Sequence, residues 1–396
     1  MILTSIRGQN ISCGKLLCVV KEVKMDTKTR EQLLVKYEAP AWMRTLSNIP
    51  THRIKASIES TPIERWYLPG IPKEFEVYIK REDLTGCVLS GNKVRGFEFI
   101  FAEAIKQGCT AICSAGTTHS NFVRTLALMA SSLGMPSHFV IYADKSNTRL
   151  DTNLLLLMAG AHRYMIPTID ILNLLNFGEE LGTKVEQLAE KIRKDTGESV
   201  FKFVGNHENS YTACIFGYLK VFDELLSQDV KSFSDIVVSC SGAVTTFGLA
   251  VGNHLNECNI KIHSMVTGTS KAYAEEKMNR MLRYVGLQEA DGSGLSVEDI
   301  CHMTEHLGAG FGKTTQEELE FLKKVAEQTG IILGSTYSGK AAFHLVKQLN
   351  EQPEKFKGKK ILFIHTGGVF ELFDGRMQNA FDNDDNVKQW KDVMDS

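Results

Sequence analysis

The stretch VYIKREDLTGCVLSGNKVRGFEFIFAEAIKQGCTAICS, Val77 to Ser114, sets the architecture. Val77–Lys80 is a short apolar run suited to a buried strand, and AICS at Ala111–Ser114 is another. Between them, Lys93–Lys106 has the periodicity of a helix. The alternation continues with a helix expected from about Asn121 to Leu133, a strand at His138–Tyr142 and a helix at Asp151–Met158. Further strands are expected at Ile236–Cys240, Lys261–Val266 and Lys360–His365, with helical segments between them. Strands that alternate with helices of this length imply βαβ units and parallel sheet covered on both faces. Ligands of such folds sit beyond the C-terminal ends of strands. The loops that matter therefore follow AICS, IVVSC and LFIH.

The 396 residues suffice for two or three domains, or for one two-lobed enzyme with a cleft. Hydrophobic residues make up 43% and charged residues 23%, the balance of a globular chain. A formal charge of −2, from 45 basic and 47 acidic residues, argues against a nucleic-acid surface or a polybasic membrane surface. No apolar run reaches the roughly 18–20 residues of a membrane span. Nine cysteines without a CxxC spacing suggest reduced, mostly buried thiols, and no metal site is expected. Met1 to Lys21 carries Arg7, Lys15 and Lys21 and no acid, a pattern open to organelle (mitochondrial) targeting. With little arginine or serine enrichment there, a cytoplasmic protein is the expectation.

Leu89–Arg95 (LSGNKVR) opens the first helix. A lysine at a helix N-terminus feels partial positive charge, which lowers its pKa and favours the nucleophilic amine; a solvated lysine at an ordinary helix start is the alternative. Ser114–Asn121 (SAGTTHSN) clusters hydroxyls, an imidazole and an amide where helix N–H groups lack partners. Simple capping by Ser120 or Thr118 is the alternative there. Ser239–Thr246 (SCSGAVTT) joins a strand to a helix expected from Phe247, an arrangement that can cradle phosphate. It lacks GxGxxG and GxxxxGK[ST], which argues against a dinucleotide or P-loop site. Thr336–Lys340 (TYSGK) opens a helix and Ile364–Gly368 (IHTGG) ends the last strand; capping, packing or a turn would account for either alone. Gly292–Gly294 and Gly308–Gly312 read as loops.

Taken together and in order, TPIERW, YIKREDLTGCVLSGNKVRGFEF, GTTHSN, the loop after IVVSC, STYSGKAAF and FIHTGG carry a resemblance. From about Thr61 to Phe373 the chain resembles the fold-type II pyridoxal-phosphate family that contains D-cysteine desulfhydrase and 1-aminocyclopropane-1-carboxylate (ACC) deaminase. The resemblance implies a two-domain α/β fold like that of the tryptophan synthase β subunit, with mostly parallel twisted sheets and helices on both faces. Residues 61–96 and 205–396 would form the larger, cofactor-binding domain, 97–204 the smaller one, and 1–60 an N-terminal extension. It implies pyridoxal 5′-phosphate as cofactor, a small amino acid as substrate and a homodimer. Lys93 would form the Schiff base with the cofactor aldehyde, with Asn92 beside it. Asn121 would hydrogen-bond the cofactor O3′, and Ser120 would face the substrate carboxylate or α-carbon. Gly242, Ala243, Val244 and Thr245 would hold the phosphate. Ser338 would face the pyridine nitrogen, Thr366 would lie in the same pocket, and Tyr337 would line the active site and move a proton.

ACC deaminases of this family place Glu at the Ser338 position and Leu at the Thr366 position, whereas D-cysteine desulfhydrases place Ser or Thr at the first and Thr at the second. The resemblance therefore implies a β-elimination that converts D-cysteine to pyruvate, hydrogen sulfide and ammonia. A neutral hydroxyl at the pyridine nitrogen leaves that nitrogen largely unprotonated, which suits expulsion of a β-leaving group. The chain departs from the family at Thr118 and His119, in the Ser241–Thr245 loop where GSGGT is usual, at Phe311 where tyrosine is common, and at Gly334-Ser335 where Asp-Pro is usual. Val244 cannot take the positive φ that glycine allows there. The alternatives are an ACC deaminase, a D-serine ammonia-lyase, or a relative that binds cofactor and amino acids without turnover.

Overall fold

The computed structural model describes residues 25–117, 119–143, 151–167, 174–204, 213–373 and 375. One sheet has six strands in the spatial order His302–Glu305, Lys261–Val266, Asp235–Cys240, Lys360–Ile364, Glu76–Lys80, Ile63–Arg65. All its neighbours are parallel except the last pair, where Ile63–Arg65 closes one edge antiparallel. A second sheet has four parallel strands, in the order His162–Pro167, Ser137–Ala143, Ala111–Thr117, Val200–Lys202. The central strand DIVVSC, Asp235–Cys240, is buried at every position, as a strand covered on both faces must be. The parallel α/β architecture expected from the alternation is the one observed.

The Lys93–Lys106 helix does not return the chain to the sheet it left. Glu76–Lys80 lies in the six-stranded sheet and Ala111–Thr117 in the four-stranded one. The reason is a seam of small residues that docks this helix on Cys214–Leu226, and that helix in turn on Val244–Leu255. A Cβ at Gly217 would lie 2.2 Å from the Arg95 carbonyl oxygen, one at Gly248 2.5 Å from the Tyr218 carbonyl carbon, and one at Gly252 2.3 Å from the Phe222 ring. Backbones this close leave the Lys93–Lys106 helix no freedom to pack as a simple crossover.

Four buried charges pin the same region. Arg95 donates to Glu82 at 3.0 and 2.8 Å and lies 3.2 Å from Glu224. Lys80 bonds Glu224, the Thr61 carbonyl at 2.6 Å and Gln228 at 2.7 Å. Two cations and two carboxylates thus link the Glu76–Lys80 strand, the Lys93–Lys106 helix and the Cys214–Leu226 helix. Burial lowers the Lys80 pKa more than its two carboxylates restore it. Burial alone would raise the Glu82 carboxyl, but Arg95 and then Lys80 and Thr61 hold it below the usual carboxylate range.

Residues 26–60 belong to this fold even though they precede the resemblance. Arg30 donates to the Leu133 and Gly134 carbonyls at 2.9 and 2.7 Å. Glu98, buried in the Lys93–Lys106 helix, accepts from Arg53 and from the Ala56 and Ser57 amides at 2.8–2.9 Å. Met43, Leu46 and Ile54 enter the main core. Five of the seven described cysteines are buried and all seven are free thiols. Among the described residues no helix is long and apolar enough to cross a membrane.

Arg95→Met strands Glu82 in the core and should cost about 3–5 kcal/mol in urea unfolding, whereas Lys36→Ala, at an exposed pair with Glu38, should leave the midpoint unchanged. Because the Glu82 pKa is depressed in the folded state, its contribution is complete above the usual carboxylate pH and is lost as pH falls through the depressed value. Arg95→Met should therefore flatten the acid limb of the stability–pH curve.

Candidate active site

The loops after the Asp235–Cys240 and Lys360–Ile364 strands meet the start of the Lys93–Lys106 helix. Gly91 and Gly367 face each other with φ of 106° and 97°. A Cβ on Gly367 would lie 2.6 Å from the Gly91 Cα, and one on Gly91 3.0 Å from the Thr366 carbonyl oxygen. Only glycine at both positions lets the two loops touch. The Asn92 amide then donates to the Thr366 carbonyl at 3.1 Å. The Asn92 side-chain Nδ2 donates to Thr245 Oγ1 at 2.7 Å, and Thr366 Oγ1 lies 3.2 Å from Ser239 Oγ. Asn92, Lys93, Thr245 and Thr366 thus come from three separate segments of sequence into one place.

The third loop turns at Ala243, with φ 60°, and its helix begins at Val244 rather than at Phe247. The left-handed position falls on Ala243, at a cost of about 1–2 kcal/mol, and Val244 is free to be helical. Small residues up to Ala243 and β-branched ones after it are therefore compatible with a turn here. A Cβ at Gly242 would meet nothing within 4 Å, so the space over the loop is open. The Val244–Leu255 helix directs its N-terminal amides toward that loop, the arrangement that binds an anion.

Ala111–Thr117 continues as a strand well into the polar SAGTTHSN segment, which shortens the loop expected there. Ser120 caps the Asn121–Ser132 helix, accepting from the Val123 amide at 3.3 Å, and among the described residues its own hydroxyl hydrogen has no acceptor. Asn121 Nδ2 donates to Glu371 Oε1 at 2.6 Å. Thr118 lies outside the described residues. Tyr337 precedes the Ser338–Glu351 helix and makes no capping bond. Ser338 is fully buried; its hydroxyl donates to the Gly367 carbonyl at 3.1 Å and accepts from the Gly334 amide at 3.1 Å. No carboxylate stands among those partners. Phe311 lies beside Tyr337, ring centroids 6.3 Å apart, on a loop anchored by Lys340, which donates to the Leu307 and Gly310 carbonyls.

Burial lowers the Lys93 pKa, against weaker opposition from the Cys214 and Cys240 thiols, so its amine loses a proton more readily than a solvated lysine. Lys277 shares this field: burial lowers its pKa to about 7, with Cys240 opposing and Arg280 and Lys93 adding to the shift. Lys277 and Glu371 belong to none of the sequence motifs. Lys277 stands on the buried face of its helix with Ala274, Met278 and Met281, and a lysine on an apolar stripe was the available signal. Glu371 stands among the apolar residues of VFELF, the corresponding signal.

These groups fit pyridoxal phosphate. Lys93 has an amine of lowered pKa that suits an aldehyde, the Gly242–Thr245 turn has open space and helix amides that suit a phosphate, and the partners of the buried Ser338 hydroxyl include no carboxylate. Comparisons with known proteins point to the same cofactor. The sequence profile of the family described as pyridoxal-phosphate dependent enzyme matches residues 54–367. A bifunctional D-cysteine desulfhydrase/ACC deaminase, mitochondrial, of Arabidopsis thaliana is 34% identical over 85% of this chain and 83% of its own. A D-cysteine desulfhydrase of Klebsiella pneumoniae is 28% identical over 84% of this chain and 98% of its own. The crystal structure of an ACC deaminase homologue superposes with a TM-score of 0.70 at 26% identity, covering 85% of this chain and 98% of that one. The chain therefore belongs to the pyridoxal-phosphate-dependent enzymes, in the family that contains D-cysteine desulfhydrase and ACC deaminase.

Proposed function

We propose that this chain cleaves the β-carbon–sulfur bond of D-cysteine, taking up water and releasing pyruvate, hydrogen sulfide and ammonia. The observation that carries the reading is Ser338: its hydroxyl is neutral and buried, accepts from the Gly334 amide, and would turn its one hydrogen from the Gly367 carbonyl to reach a ring nitrogen. When bound, the cofactor supplies an electron sink that makes the α-proton of an attached amino acid acidic. Lys93 Nζ, its pKa lowered by burial, is the group to hold that proton. The capping geometry of Ser120 supports a role in binding the substrate carboxylate, since its hydroxyl hydrogen has no acceptor among the described residues and the helix N-terminus beside it favours an anion. Tyr337 is the reading for proton transfer to the departing sulfur. Asn92, Thr245 and the amides of Gly242, Ala243 and Val244 are the reading for the phosphate, with Asn121 for O3′ and Thr366 for the wall of the pocket.

Residues 61–96 with 205–396 serve as the larger domain and 97–204 as the smaller in this reading. A homodimer is supported by the exposed Leu154, Leu157, Met158, Tyr164 and Met165 on the smaller sheet's outer elements. We read the compartment as cytoplasmic or mitochondrial, the second supported by the description of the Arabidopsis relative. That relative's double name also supports ACC deamination as the second reading.

Thr245→Ala removes a hydroxyl that the Asn92 amide already orients, and should weaken cofactor binding by about 1.5–3 kcal/mol in a fluorescence titration. Unchanged affinity would move the phosphate elsewhere. Purified enzyme should release sulfide from D-cysteine and give no 2-oxobutyrate from ACC. Ser338→Glu should depress sulfide release, because a carboxylate raises the pKa of the ring nitrogen beside it. ACC as the preferred substrate, or a Ser338→Glu variant with wild-type sulfide release, would contradict the role given to Ser338. Phe311→Tyr, placed beside Tyr337, should raise turnover.

A further inference from the structure

Glu371 is a carboxylate at 2% exposure, held where three loops of the site converge. Its Oε1 accepts from Asn121 Nδ2 at 2.6 Å and its Oε2 from the Thr336 amide at 2.8 Å. Gly334 and Gly368 press on it from the other sides; a Cβ on either would lie 3.0 or 3.3 Å from its oxygens. Asn121 opens the helix after the Ala111–Thr117 strand of the smaller sheet, Thr336 precedes Tyr337-Ser338, and Glu371 follows the Lys360–Ile364 strand of the larger sheet. One carboxylate thus joins the two sheets' loops.

The Asn121 side chain and the Thr336 amide donate one to each oxygen, the pattern that an ionised carboxylate accepts best. Arg124 supplies the nearby positive charge. It lies one turn after Asn121, is nearly fully buried, stacks 4.4 Å over the Phe370 ring and donates to the Val88 and Ser90 carbonyls. Burial lowers the Arg124 pKa to about 10, with Glu371 opposing, so the guanidinium stays charged at neutral pH. An asparagine amide is otherwise free to exchange its oxygen and nitrogen by a half-turn. Facing an ionised carboxylate it cannot: the nitrogen must point at Glu371, and its second N–H has a fixed direction.

We propose that Glu371 is a positioning residue, which fixes the Asn121 amide with an N–H directed to the cofactor's phenolic oxygen and locks that helix start to the Thr336–Ser338 loop. This rests on the reading of Asn121 as an O3′ partner. The consequence is that a carboxylate, with an acceptor at each oxygen, is required. Glutamine at this position offers one acceptor where two donors point, so one pair becomes donor against donor.

The test uses Glu371→Gln, Asn121→Ala and a reciprocal double variant that combines Asn121→Asp with Glu371→Gln. Cofactor affinity, the visible absorbance of the bound cofactor and Tm are the readouts. Glu371→Gln should raise the cofactor dissociation constant roughly tenfold, shift the absorbance maximum and lower Tm. In the reciprocal variant the introduced glutamine donates to the introduced aspartate and accepts from the Thr336 amide, so Tm should return toward wild type. The introduced aspartate has no N–H for the cofactor, so affinity and spectrum should stay altered. A Glu371→Gln enzyme with wild-type affinity and spectrum overturns the proposal, as does a reciprocal variant that recovers both along with Tm. If Glu371→Gln does not fold, the split between Tm and spectrum in the reciprocal variant decides alone. Wild-type affinity in Asn121→Ala would instead remove the O3′ reading of Asn121, a failure distinct from that of the Glu371 link.

Discussion

Arg95, buried against Glu82 and Glu224, lies two residues after Lys93 on the same helix, so whatever holds Arg95 also holds the lysine. With Lys80 the cluster is neutral in sum and hydrogen-bonded throughout, the condition under which buried charges are tolerated. The glycine seam against the Cys214–Leu226 helix acts in the same direction. Lys93 is thereby presented from a rigid element, with its amine in a desolvated pocket and its neighbours Asn92 and Gly91 pinned to the Thr366 loop. Such fixing is what allows a lysine of lowered pKa to persist without collapsing onto a carboxylate.

Much of this was legible in the residues. Alternation of apolar runs and helical periods pointed to the parallel α/β class, because buried parallel strands and their covering helices carry the strongest local patterns. Gly91 and the Gly367-Gly368 pair were legible as loop residues. Their reason, that the two loops touch, was not, since it depends on a contact between opposite ends of the chain's matched region. The separate destination of the Ala111–Thr117 strand came only with the resemblance, which puts 97–204 in a smaller domain; the alternation of strands and helices by itself does not divide the strands between two sheets. Val244 looked unsuited to a phosphate turn. The chain solves this by placing the left-handed conformation on Ala243 and starting the helix one residue later.

Charges were the least legible feature. Lys277 and Glu371 resemble surface residues in composition and are buried in fact, and only their positions on apolar stripes hinted at it. Both lie at the site's edge, where local pattern and global fold disagree, and such disagreement concentrates at functional places. Residues 1–60 carry no motif and read as an extension; within them, Arg30 and Arg53 tie the described 26–60 stretch to the core by buried bonds.

If Lys93 is the lysine that carries the cofactor, borohydride reduction followed by peptide mapping will show it. Reduction should fix the cofactor to the peptide containing Gly91-Asn92-Lys93 and abolish the visible absorbance. Recovery of the label on Lys277 or on any other lysine, with Lys93 unmodified, would refute the assignment and the mechanism built on it.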